Sequence, residues 1–125
     1  MAGVATVNAK ITITGLNSDE ELYDSFETTT VPTVFTHQYT ILEIPGTEEL
    51  LDLGGVTTPH YIWIKAVDYD LYIDPSYDST FRPGLIVHAG EIAMFKPVGD
   101  VYIINTDYDD GNTEQPTYEY IVSGV

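Results

Sequence analysis

The sequence contains no cysteine and only four basic side chains, Lys10, Lys65, Arg82 and Lys96, in 125 residues. The first absence excludes disulfides, thiolate metal sites and a cysteine nucleophile, and leaves the redox compartment open. The fold must therefore stand on its own core. A chain of this length can supply one, because it buries roughly two-thirds of its unfolded surface. The second absence excludes polyanionic partners. Twenty Asp and Glu against those four cations leave a net charge of −16, which repels nucleic-acid phosphate and anionic membrane surfaces alike. No apolar run approaches the roughly 20 residues that span a bilayer as a helix. The opening segment, Met1 to Thr6, has neither a basic stretch nor a long apolar one, so no secretory leader is expected there.

What is abundant favours strands. Val, Ile, Thr and Tyr are plentiful, Ala, Lys and Arg are few, and no segment keeps a 3.6-residue period over three turns. From Val4 to Thr14 the chain alternates cleanly. Ala5, Val7, Ala9, Ile11 and Ile13 fall on one face and Thr6, Asn8, Lys10, Thr12 and Thr14 on the other, the pattern of a half-buried strand. Ser18 to Phe26 reads as a two-turn helix, with Ser18 and Glu21 as a capping box, or as a loop. Val31 to Ile44 reads as a long strand or a bent pair of strands, and Glu48 to Leu53 as a short strand or turn between the turns Pro45-Gly46 and Gly54-Gly55.

His60 to Val67 is the most apolar run and reads as a strand covered on both faces, with Trp63 in the core. Asp68-Tyr69-Asp70 turns into the strand Leu71 to Asp74. Leu85 to His88 and Glu91 to Lys96 read as a hairpin about Ala89-Gly90, and Val101 to Asn105 and Thr117 to Val122 close the series. About nine short strands with a turn every 8 to 12 residues predict one all-β domain over 1–125, a β-sandwich or jelly roll.

No catalytic constellation emerges. His37, His60 and His88 are far apart and lack the spacing of a barrel metal site. His88 with Glu91 is one imidazole and one carboxylate, short of a ligand set. Ser18, Ser25, Ser76, Ser79 and Ser123 sit in turn-like or terminal contexts, with no nucleophile elbow and no phosphate-cradling glycine loop. With twenty carboxylates, pairs at glycosidase spacing arise by chance. The chain is therefore expected to be no enzyme, and no cofactor or metal residue is assigned.

Two binding readings stay open. Asp107-Tyr108-Asp109-Asp110-Gly111-Asn112 with Glu114 places hard oxygens on one loop, as Ca²⁺ requires, although the alternation is not that of an EF-hand. A second acidic set, Asp68, Asp70, Asp74 and Asp78, surrounds another turn. Tyr69, Tyr72, Tyr77 and Tyr108 flank these turns and would suit a sugar or a protein surface.

The stretch from Leu51 to Ile104 carries a resemblance. Leu53-Gly54-Gly55-Val56, the apolar strand through Trp63, Leu71-Tyr72-Ile73-Asp74, Arg82-Pro83-Gly84-Leu85 and Gly90-Glu91-Ile92-Ala93-Met94-Phe95 together resemble small β-rich virion proteins of tailed bacteriophages, notably capsid decoration or cement proteins. Similar patterns occur in small tail and neck proteins. The resemblance implies a subunit on the capsid surface of the virion that binds the major capsid protein and stabilises the shell, as a homo-oligomer with a trimer favoured. It carries over no functional residue. On this reading the acidity around Asp19, Asp68 and Asp107 marks exposed ends of a sandwich, where a cation or a basic partner would meet it.

Overall fold

The computed structural model describes residues 3–16, 18–27, 31–105 and 113–125. Those residues form ten strands and no helix: β1 Thr6–Ile13, β2 Glu20–Glu27, β3 Val34–Ile41, β4 Glu49–Leu50, β5 Pro59–Ala66, β6 Leu71–Asp74, β7 Leu85–Val87, β8 Ile92–Phe95, β9 Tyr102–Ile104 and β10 Thr117–Gly124. β1 and β2 pair only with each other. The other eight form two four-stranded antiparallel sheets, in the orders β3-β10-β5-β8 and β4-β9-β6-β7.

The pairing is nested: β3 with β10, β4 with β9, β5 with β8, and β6 with β7. A long antiparallel ribbon, rolled so that its ends lie side by side, gives this order. It is the jelly roll, within the expected class.

Alternation fixes which side chains enter the core. Along β5, Ile62, Ile64 and Ala66 are buried while Tyr61, Trp63 and Lys65 are half-buried on the other face. β10 does the same with Tyr118, Tyr120 and Val122. These residues meet Leu71 and Ile73 of β6, Val87 of β7 and Ile103 of β9 in one apolar cluster. Each such aliphatic side chain contributes about 1.5–3 kcal/mol by leaving water. Tyr120 can be wholly buried because its hydroxyl donates to the Asp52 carbonyl at 2.6 Å.

Four expectations are corrected. Ser18–Phe26 contains no helix; β2 runs through it, in register with β1 from Ile13↔Glu20 to Thr6↔Glu27. Leu22 and Phe26, four apart, share a face in a strand as well as in a helix, and eight cross-strand partners settle the choice. The strand β1 is not half-buried: most of the β1–β2 hairpin is exposed on both faces.

β7 and β8 form no hairpin, because β7 pairs with β6 and β8 with β5, in opposite sheets. Ala89-Gly90 does reverse the chain, with Gly90 at φ 85°, but as a corner between the two sheets. Trp63, finally, points away from the core, on the outward face of β5.

Candidate binding surfaces

The carboxylates at the turns are largely engaged with backbone. Asp68 Oδ1 accepts the Thr117 amide at 2.7 Å. Asp70 Oδ1 accepts the Ala89 amide at 3.0 Å, and its Oδ2 lies 3.0 Å from His88 Nδ1. Asp74 is buried and accepts two amides, Ser76 at 3.0 Å and Arg82 at 2.8 Å. Asp78 pairs with the Arg82 guanidinium. The four do not converge on one point. Among the described residues no group of three His, Asp or Glu is placed to hold a metal ion. Most of the Asp107–Glu114 loop, residues 107–112, lies outside the described residues, and Tyr108 with it.

The histidines separate into three roles. His37 Nε2 lies 2.7 Å from Glu119 Oε2 on an exposed sheet face. His60 is buried, with its Nδ1 making no hydrogen bond. His88 joins Asp70 and Glu91 at the sheet-to-sheet corner, where Glu91 Oε2 accepts the His88 amide at 3.1 Å. The hydrogen bond to Asp70, then its charge, raises the His88 pKa, with a smaller push from Glu91. The His88 bond and the Ala89 amide lower that of Asp70. Of the tyrosines expected at the surface, Tyr77 instead stacks on Tyr102 at 3.8 Å between ring centres and donates to Glu48 at 3.1 Å.

Two larger features come from the topology. Ile41, Ala66 and the start of β10 lie together, tied by Leu42 N–H to Pro116 O, Val67 N–H to Thr117 O and Gly90 N–H to Ala66 O. The connections 42–48, 67–70, 88–91 and 113–116 therefore share one end of the roll. Their described residues include Glu43, Asp68, Asp70, Glu91 and Glu114, and no Lys or Arg, while Glu48 at the margin accepts the Tyr77 hydroxyl of the 75–84 connection. At the opposite end, connections 51–58, 75–84 and 96–101 carry Asp52, Asp78 and Asp100 against Arg82 and Lys96. The described connections of the roll are thus electrically polar, with one strongly acidic end, and the arm adds Asp19, Glu20, Glu21, Asp24 and Glu27 against Lys10.

The second feature is the outward face of the sheet β3-β10-β5-β8. It presents Phe35 and Tyr39, which are 70% and 65% exposed, with Ile41, Ile92, Met94 and Ile121 beside them. The only Asp, Glu, Lys or Arg on these four strands are Lys65 and Glu119, which are direct cross-strand partners. The sheet is thus formally neutral in a chain of net charge −16.

The β1–β2 hairpin rises beside this face as an arm. Phe26 packs edge-on against Tyr61 at 6.0 Å between ring centres. A cleft of about 410 Å³, lined by Val7, Tyr61, Trp63, Met94, Ile121 and neighbours, separates the base of the arm from the sheet. Sequence reasoning missed this surface. Its signal was present in the outward residues of β3, where Phe35, Tyr39 and Ile41 alternate with Thr36 and Thr40.

No protein-family model, curated protein or solved structure matches the chain.

Proposed function

We propose that this chain is a structural protein of a bacteriophage virion, a decoration protein that docks its acidic end onto basic residues of the major capsid protein and stabilises the shell. The observation that carries the reading is the segregation of charge to one end of the roll. Complementary charge steers a subunit to its place and fixes which end faces the partner, and repetition over a lattice turns weak contacts into firm attachment. The turn pattern of residues 51–104 adds the resemblance to virion proteins, and the jelly roll is a frequent architecture of viral shells.

The test is the copy number of this chain in purified particles whose genome encodes it, by quantitative gel densitometry. Hundreds of copies per particle are expected. A few to tens would move the chain to the tail or neck, and none would end the virion reading.

A further inference from the structure

We infer that the outward face of the β3-β10-β5-β8 sheet, together with the β1–β2 arm, is the surface through which copies of this chain associate, the arm of each lying along the sheet of the next.

The arm needs a cover. Its cross-strand pair Ile11↔Leu22 is 66% and 75% exposed, and Ile13, Phe26 and part of Val7 share that face with Ala9 and the carboxylates Glu20 and Asp24. A lone two-stranded hairpin is marginal in water and gains stability from packing on an apolar surface. The sheet face needs a cover as well, because contiguous exposed apolar area of this kind marks an interface.

Charge selects the occupant. Two chains of net charge −16 repel wherever their acidic surfaces meet. The outward sheet carries Lys65 opposite Glu119 and no further Asp, Glu, Lys or Arg, so the arm of a second copy, which brings Glu20 and Asp24 on its docking face, meets a formally neutral surface there rather than an acidic one. A basic partner would be drawn to the acidic end instead.

Area sets the strength of the contact. At ~3.3 Å rise and ~4.8 Å strand spacing, the 28 residues of the four sheet strands present roughly 440 Å². That is short of the ~800 Å² per partner of a stable interface. An arm of 16 residues covers roughly 250 Å² of a neighbour's sheet, and with the reciprocal contact each chain engages roughly 500 Å², the scale of a weak, concentration-dependent association.

The inference concerns the purified full chain alone, so it is tested without capsids. Sedimentation equilibrium is expected to give a concentration-dependent oligomer. Phe35→Ser/Tyr39→Ser on the sheet and Ile11→Ser/Leu22→Ser on the arm are each expected to weaken it at least ~10-fold in dissociation constant. Phe35 and Tyr39 are exposed, so the first variant should keep the wild-type circular dichroism. Ile86→Ser, an exposed residue of the opposite sheet, should leave the mass unchanged.

The chain lacks cysteine, so Ile11→Cys and Tyr39→Cys proteins can be mixed and joined by a short bis-maleimide, with a linked pair containing one of each expected. A wild type that stays monomeric at high micromolar concentration would overturn the inference. So would an oligomer indifferent to Phe35→Ser/Tyr39→Ser, or an Ile86→Ser variant that dissociates as readily. A doubly substituted chain that cross-links only within itself while sedimenting as a monomer would also do so, and would mean that the arm closes on its own sheet.

Discussion

Single residues in this molecule matter most where backbone meets backbone. Gly124 is paired on both sides, with Val34 of β3 and Pro59 of β5, at a register shift in the central strand. A Cβ there would overlap the Thr58 carbonyl oxygen and press on a methyl of Val56. Gly124→Ala is expected to destabilise the fold by about 1–3 kcal/mol, the cost of overpacking a site that cannot yield. Chemical denaturation measures it, and a neutral result would mean that β10 shifts freely at its end.

His88 and Asp70 give a pH signature of known sign. The His88 pKa is raised in the folded state, so its contribution is present below about pH 6.5 and is lost as pH rises through the raised value. The Asp70 pKa is lowered, so its contribution is present above about pH 4 and is lost as pH falls through the lowered value. The pair is therefore fully formed between the two. Asp70→Asn should return the His88 titration, followed by NMR, toward the ordinary imidazole value and flatten the fall in Tm on the alkaline side. An unchanged His88 titration would show that the pair does not form in solution.

At the scale of elements, the arm and the roll are separable. β1 and β2 hydrogen-bond to no other strand, and the Phe26–Tyr61 contact is at the arm's base. Deleting residues 3–27 should cost the roll less than about 1 kcal/mol, since no buried core residue is removed. Thermal unfolding checks this, and a loss of several kcal/mol would make the arm part of the core.

The same separability explains what the sequence could and could not disclose. Alternation identified most strands of the roll within a few residues, because a strand with one buried face must alternate. It could not tell that the apolar face of β1 is uncovered, since alternation reports that a strand has two faces and not what lies against them. It placed Trp63 in the core because β5 is apolar on both faces, and the outward one faces the arm. Ala89-Gly90 announced a reversal, yet turn chemistry fixes only the change of direction, and β7 and β8 part into different sheets. The acidity of the turns was legible. That the turns at 42–48, 67–70 and 88–91 meet at one end was not, because it depends on strand order.

For the whole molecule the governing quantity is charge. Sixteen uncompensated negative charges within a radius of gyration of about 14 Å repel by something on the order of 10 kcal/mol at low salt. The pairs Lys10–Glu21, Arg82–Asp78 and His88–Asp70 are exposed, so they contribute little and are themselves screened. Repulsion wins, so Tm should rise as NaCl goes from about 10 mM to about 0.5 M and the Debye length falls from roughly 30 Å to a few. A falling Tm would show that the ion pairs outweigh the repulsion. The proposed docking onto a basic surface should respond with the opposite sign, because salt would screen the attraction between that surface and the acidic end. Under that proposal the chain is least stable alone in dilute buffer and would gain most from a basic partner there. Measuring Tm and shell affinity over one salt series therefore separates charge that merely keeps the chain soluble, for which affinity would not vary, from charge that docks it.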